Sequence, residues 1–183
     1  LPITGELVSH ELGTVSRRSR TAPELVRIRA GDLFVTVKDG PPSVLVETAD
    51  GTVVQHLGFD ASTADMSFEL GSAPLLALGE GGPQFDRRGT TDQMIIGQDA
   101  YHLETNGTRA PIQWLIGTEG WAMFIHQPHG AFDFSGTSGR FTPHVPAHDA
   151  SHAAAPADLL PLDVFVVSSC EPRVIMREYA RIT

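Results

Sequence analysis

The chain has 183 residues and a mass of 19.7 kDa, with 41% hydrophobic and 19% charged residues. That is the composition of one globular domain with room for an ordinary core, and it excludes a disordered chain. Thirteen basic residues stand against 22 acidic ones for a net charge of -9, and the longest basic run is Arg17-Arg18-Ser19-Arg20, so a nucleic-acid partner, which needs a basic face, is excluded.

No stretch approaches the ~20 apolar residues of a membrane helix, and no membrane partner is expected. The single cysteine, Cys170, excludes an internal disulfide. The chain opens on Leu1 without a charged and then apolar leader, so the expectation is either a leader already removed or a piece cut from a longer protein, with the C-terminal segment favouring the cut piece.

The dominant apolar period is two, the signature of strands. After a lead-in over residues 1–24, Leu25-Val26-Arg27-Ile28-Arg29 opens the series. Leu33, Val35 and Val37 then alternate with Phe34, Thr36 and Lys38. Ser43-Val44-Leu45-Val46-Glu47 runs to an Asp50-Gly51 turn, and Thr52-Val53-Val54-Gln55 returns from it. Met66-Ser67-Phe68-Glu69-Leu70 follows. Short strands at intervals of roughly ten residues predict a mainly antiparallel β-sandwich over residues 25–167.

Residues 79–89 hold too much glycine for a regular element and read as a structured loop. Residues 90–110 have no long apolar run, and Asn106-Gly107 is a turn signal. Residues 112–116 and 121–125, joined by Gly117-Thr118-Glu119-Gly120, predict a hairpin in the most apolar part of the chain. Residues 132–135 and 140–142, joined by Gly136-Thr137-Ser138-Gly139, predict another. Residues 143–156, rich in Pro, Ala and His, read as a crossover loop.

A final strand at 162–167 leads into the only predicted helix, within residues 168–183. Ser168 and Ser169 are its cap candidates, Pro172 suits its first turn, and Ile175, Met176, Tyr179 and Ala180 share a face. The predicted core includes Phe68, Leu115, Met123, Phe165 and Val167.

Several groups invite a chemical reading. His126-Gln127-Pro128-His129 has an HxxH spacing, and His144, His148 and His152 recur every four residues. Pro143 and Pro146 break the helix that would align the second set, so no metal site is expected. Cys170, near the start of the helix, reads as packing rather than as a nucleophile. The glycine-rich loop lacks the Lys-Ser/Thr of a phosphate cradle and the GxGxxG of a dinucleotide site, so no cofactor is expected. Its charged end, Asp86-Arg87-Arg88, either holds the loop by ion pairing or reaches a polar ligand. Glu80, Asp86, Asp92, Asp99 and Glu104 are the carboxylates available for glycoside chemistry, and no spacing singles out a pair.

Three stretches go further. Leu78-Gly79-Glu80, running on to Arg87-Arg88-Gly89, is similar to a G-L-G-E segment whose loop ends near R-x-G. Residues 111–124, with Trp121-Ala122 where Tyr-Gly is common, are similar to a P-F-x-x-S-x-x-G-Y-G-V-F hairpin. Leu162-Asp163-Val164-Phe165-Val166-Val167 with Pro172, Ile175, Tyr179 and Ala180 is similar to the segment that leads into a catalytic barrel. In this order, over roughly residues 25–183, the chain resembles the N-terminal domain of glycoside hydrolase family 31, the α-glucosidase-like enzymes.

The resemblance implies a galactose-mutarotase-like sandwich in front of a (β/α)8 barrel. The parent enzyme would cleave α-glycosidic bonds with retention, through a covalent glycosyl-enzyme. The family's two catalytic aspartates lie on the barrel, so the resemblance implies no catalytic residue in this chain. It implies an α-linked sugar as the parent's ligand and the missing barrel as this chain's partner, with residues 168–183 leading towards it. The family also carries an N-x-D motif on a loop that reaches over the barrel and touches the substrate. The nearest match is Gly97-Gln98-Asp99, where the asparagine is absent and the match rests on Asp99. Asp99 is therefore the first expected substrate contact and Asp92 the second, with Arg87 and Arg88 anchoring the loop or meeting an anionic sugar.

Two readings from other classes compete. A free-standing sugar-binding module would present exposed aromatics, whereas Trp114 and Trp121 sit in the most apolar hairpin. A mutarotase-type enzyme would need a general acid and base, for which His102 and Glu104 are the candidates.

Overall fold

The computed structural model describes residues 25–97, 109–143 and 163–183. The strands are β1 (Leu25–Ala30), β2 (Leu33–Lys38), β3 (Ser43–Thr48), β4 (Val53–Phe59), β5 (Met66–Glu69), β6 (Leu75–Glu80), β7 (Thr91–Gln93), β8 (Ala110–Gly117), β9 (Trp121–Ile125), β10 (Gly130–Asp133), β11 (Ser138–Pro143) and β12 (Val164–Ser168). One helix follows, α1 (Pro172–Ile182). The strands form an eight-stranded sheet, β1-β2-β3-β4-β5-β11-β10-β7, and a four-stranded sheet, β12-β9-β8-β6. Every pairing is antiparallel. The protein is thus the antiparallel β-sandwich with one closing helix that the period-two pattern predicts.

Between the sheets the core is aromatic. Phe132 stacks on Phe134 with ring centroids 5.5 Å apart, tilts against Phe141 at 4.8 Å and meets Phe68 edge-on at 6.3 Å. Such pairs add to the area they remove from water. A second cluster lies on the far face of the small sheet, where Trp114, Ala122 and Phe124 are covered by Ile175 and Ile182 of α1. Strand β9 is buried at every position. Trp121, Met123 and Ile125 point into the sandwich, while Ala122 and Phe124 point under the helix. Its unbroken apolar sequence is that of a strand covered on both faces.

The structure differs from the sequence reading in several places. Strand β6 is not among the expected elements, and its last two residues, Gly79 and Glu80, belong to the segment read as a loop, while β7 is too short to show a period. The turn between β10 and β11 falls at residues 134–137, earlier than expected, and brings Phe134 back into the core. The N-cap of helix α1 is Glu171, which makes no side-chain cap. Ser169 acts just outside it, its hydroxyl accepting the Glu171 N–H at 3.0 Å. The inward face of α1 is Ile175, Tyr179 and Ile182, while Met176 and Ala180 are exposed, because the helix is rotated relative to the expected face. Phe165 and Val167 are half-buried beneath that helix and do not sit between the sheets. Cys170 is exposed, with its sulfur set against Gly120 and 3.9 Å from the Glu119 carbonyl oxygen.

Glu119, in the β8–β9 turn, ties the sheet connection in place. Its carboxylate accepts the N–H groups of Ser72 and Ala73 at 2.9 and 3.1 Å and the Ser72 hydroxyl at 2.6 Å. These bonds hold the Glu119 carboxyl below the usual glutamate range. A carboxylate depressed in the folded state adds stability above its unfolded pKa and loses it as pH falls through the folded one. The stability gap between the protein and Glu119→Gln is therefore expected to be full at neutral pH and to close on acidification, as read from urea midpoints across pH. Truncating the aromatic hub by Phe132→Ala should cost ~3–5 kcal/mol. Val53→Ala, at a position 53% exposed, should stay within ~0.5 kcal/mol in the same urea titration.

Candidate functional site

The glycine-rich segment has an unusual backbone at its start. Ala77, Leu78 and Gly79 have φ of 78°, 64° and 81°, the left-handed region that costs a residue with a Cβ ~1–3 kcal/mol. The β6–β8 register shifts between Ala77 and Gly79 as a result. Gly79 is required by space as well as by φ, since a Cβ there would lie 2.1 Å from the Ala110 carbonyl oxygen. The bulge turns carbonyl groups away from the ladder, and inside a protein such groups need partners.

Two arginines supply them. Arg87 donates from Nε and Nη2 to the Ala77 carbonyl at 3.1 and 2.8 Å. Arg109 donates from Nη1 to the carbonyls of Leu78 at 2.8 Å and Glu80 at 2.7 Å. Its Nη2 reaches both oxygens of Asp92, at 3.1 and 3.0 Å. The side chains of Arg109 and Asp92 are 1% and 2% exposed, so this is a fully buried ion pair. Asp92 lies on β7 of the large sheet, directly opposite Phe132, and Arg109 adjoins β8 of the small one. Their contact ties the two sheets together along one side of the sandwich.

Among the described residues the charges do not balance within this cluster. Two buried guanidiniums surround one carboxylate, and burial pushes Arg87 down from its ordinary value, opposed by the charge of Asp92. Burial likewise pushes the Asp92 carboxyl up, against the pull of Arg109 and Arg87. Both Asp92 oxygens are already engaged by Arg109, which suits holding a backbone in place more than proton transfer.

The rest of the loop folds back along the free edge of β6. Asp86 accepts the N–H groups of Leu75 at 3.0 Å and Arg88 at 3.1 Å, which holds its carboxyl below the usual aspartate range. The Arg87 N–H bonds the Leu75 carbonyl at 2.9 Å. Arg88 donates to the Ala73 and Leu70 carbonyls. Gly82 packs against the Arg87 guanidinium so closely that a Cβ would lie 1.6 Å from Nη1.

Of the residues singled out from sequence, the structure thus brings Arg87 and Asp92 into one buried cluster. It places Arg88 beside that cluster with two backbone carbonyls for partners. Asp99, His102 and Glu104 lie outside the described residues, as do His144, His148 and His152. His126 is buried, stacks on Phe124 and has Nδ1 3.5 Å from Asp163. Trp114 and Trp121 are both buried.

The residue that sequence reasoning missed is Arg109. Its one visible signal is a lone charge at the mouth of an apolar strand, and its carboxylate partner is 17 residues away. Arg109 also closes the base of segment 98–108. Its N–H donates to the Gly97 carbonyl at 2.7 Å, and its carbonyl accepts the Gly97 N–H at 3.1 Å.

Neither a protein-family model nor a curated protein matches this chain. Solved structures do. A GH31 dextranase of Flavobacterium johnsoniae, complexed with glucose, superposes with a TM-score of 0.64 at 16% identity, over 90% of this chain and 20% of that one. The chain shares its fold with part of a GH31 enzyme. A GH31 alpha-xylosidase from a soil metagenome, complexed with xylose, gives a TM-score of 0.60 at 14% identity, over 88% of this chain and 26% of that one. The cycloalternan-forming enzyme of Listeria monocytogenes, in complex with a pentasaccharide substrate, gives 0.58 at 17% identity, over 82% and 15%. At these identities the likeness is one of fold, and this chain spans about a quarter or less of each of those enzymes.

If Asp92 and Arg109 form the tie that their geometry describes, Asp92→Ala should destabilise the protein by ~3–5 kcal/mol, because two guanidiniums stay buried without a carboxylate. Arg109→Lys should also destabilise it, since an ammonium cannot span two carbonyls and a carboxylate in one plane. The double change Asp92→Leu with Arg109→Met is expected to recover part of the Asp92→Ala loss, checked by denaturant unfolding of all three variants.

Proposed function

We propose that this chain is the N-terminal accessory sandwich of a retaining α-glycosidase, a glycoside hydrolase of family 31, and that it lends a loop to the substrate pocket of the enzyme's catalytic barrel. The observation that carries the reading is the buried clamp of Arg109, Asp92 and the β6 carbonyls. It sits at the root of segment 98–108, on a fold shared with GH31 enzymes of which the chain covers only a part. A loop lends precision to a pocket only if its stems are fixed, and both stems of this segment are fixed on a rigid sandwich.

Exposed apolar side chains flank the same cluster in sequence. Phe85 is 84% exposed, Ile96 is 83% exposed, and Ile95 and Ile112 are partly so. They stand two residues before Arg87, between Asp92 and Gly97, and three residues after Arg109. Side chains of this kind suit a contact with a second domain such as the barrel. The buried state of Trp114 and Trp121 supports an accessory role over a free-standing sugar-binding module, because neither indole offers a stacking face.

In this reading Asp99 makes the sugar contact. A carboxylate accepting a hydroxyl hydrogen bond is worth more than a neutral acceptor. Arg87, Arg88 and Asp92 act one step back, through the backbone they hold. In this reading the two catalytic carboxylates belong to the barrel, so the chain alone should not turn over an aryl α-glycoside; turnover abolished by changing an Asp or Glu of this chain would overturn the proposal. In the full-length enzyme, Asp99→Ala is expected to lower kcat/KM by about ten- to a hundredfold with the fold intact, for a contact of ~1.5–3 kcal/mol. Unchanged kinetics would withdraw Asp99 from the site.

A further inference from the structure

The outer face of the large sheet, turned away from the aromatic core, carries a row of residues that crosses β3, β4, β5, β11 and β10. Ser43 stands opposite Gly58, Gly58 opposite Ser67, Ser67 opposite Arg140, and Arg140 opposite Asp133. Their chain neighbours Leu57, Met66, Phe68, Phe141 and Phe132 are buried in the core. By the alternation of a strand, the row therefore faces outward. Its residues on β3, β4 and β5 are all small. A Cβ at Gly58 would lie 2.6 Å from the Ser67 Oγ, so glycine keeps the floor of the row low.

These small residues floor a trough of about 690 Å3. Pro41 and Pro42 border it beside Ser43, His56, Asp60 and Asp65 flank it, and Arg140 stands beyond Ser67. The volume is within the ~300–1,000 Å3 of small-molecule sites.

The polar groups around the trough are fixed but not used up. Arg140 donates from Nη2 to the Asp133 Oδ2 at 3.1 Å, and Asp133 is itself held by the Ser135 N–H at 2.9 Å. The Nε and Nη1 of Arg140 have no bond among the described residues. Asp60 accepts the N–H groups of Ser62 and Thr63 on Oδ1, at 2.8 and 3.3 Å, and its Oδ2 is open among the described residues. The Ser67 hydroxyl makes only a long bond, of 3.4 Å, to the Gly58 carbonyl. A guanidinium, a carboxylate and a hydroxyl thus surround one hollow with capacity to spare.

We propose that this trough binds a neutral oligosaccharide. The carboxylates of Asp60 and Asp65 face a guanidinium already paired with Asp133, so an anion such as phosphate is repelled. Among the described residues no three His, Cys, Asp or Glu side chains converge to hold a metal ion. A protein partner would want an apolar, aromatic centre, whereas this floor is serine and glycine. Sugar hydroxyls both donate and accept, which matches the groups present, and those to charged partners are the stronger bonds. The C–H face of a pyranose can pack on Pro41 and Pro42. Such binding rests on hydrogen bonds and needs no indole face. Asp92 points to the core side of the large sheet, so the trough lies across that sheet from the Arg109–Asp92 tie.

The test is a titration of the full chain, isotope-labelled for NMR, with maltotetraose and with its β-linked counterpart cellotetraose. The choice of an α-linked probe rests on the reading of the parent as an α-glycosidase; the trough itself does not. Amide shifts are expected to centre on residues 43, 58, 67 and 140 and to saturate at millimolar sugar. Ser67→Val, which fills the floor with a side chain suited to a strand, and Arg140→Gln should each weaken binding at least about tenfold. Arg177→Gln, on the exposed face of α1, should leave it unchanged. Should Ser67→Val fail to fold, Arg140→Gln decides, at a side chain 56% exposed. Shifts from neither sugar, shifts centred elsewhere, or binding that survives both substitutions would overturn the proposal. Binding of cellotetraose alone would support the trough and count against an α-glycosidic parent. Because the titration needs no barrel, an absence of binding would leave that parent reading to its own test at Asp99.

Discussion

The carbonyl groups that β6 turns out of its ladder at Ala77, Leu78 and Glu80 must find donors inside the protein, and much of the surrounding architecture follows from how they do. Each is met by a guanidinium, from Arg87 or from Arg109. A lysine could not serve, because one ammonium cannot span several fixed acceptors in a plane as a guanidinium does. Burying two such cations calls for an anion, and Asp92 is brought in from the opposite sheet. In this way a local distortion of one strand produces a bond between two sheets. It also aligns Gly97 with Arg109, so the root of segment 98–108 is fixed by the same chemistry that relieves the bulge.

That tie closes one side of the sandwich, while among the described residues the other side is held by apolar packing. The small sheet is covered twice, by the large sheet on one face and by α1 on the other. Four strands span only half the width of eight, so the large sheet overhangs on the side away from the tie. The described residues are therefore asymmetric in kind: buried ions and a bulge at the β6–β7 side, and at the β12 side a groove walled by Val35, Val44, Val46, Leu57, Val164 and Val166.

The sequence motif that carried the resemblance acquires a physical meaning from the same cluster. Leu78-Gly79-Glu80 marks the left-handed bulge, with glycine at the position where a Cβ would strike the neighbouring strand. Arg87 marks the donor that answers it. Gly82, between them, has no side chain because the guanidinium passes where a Cβ would lie. At 16% identity to the dextranase, what the two chains share is the sheet geometry that their sequences reach with mostly different side chains.

The sequence by itself determined the strands whose apolar period is local, β1 to β5 and the β8–β9 hairpin, together with the helix and its Pro172 start. Alternation and turn residues act over a few positions, and their physics needs no distant partner. It determined the burial of β9, since a strand apolar at every position must be covered on both faces. Strand β6 was hidden, because its left-handed residues and Gly79 belong to a bulge that only a tertiary donor can stabilise. The turn at 134–137 was misplaced because Phe134 is drawn into the core by Phe132 and Phe68, an attraction between strands. The roles of Arg109 and Asp92 were decided by the tertiary structure alone. A buried ion pair between residues 17 apart leaves no periodic trace, and it exists only once two sheets have closed over it and removed the water that would otherwise solvate each charge.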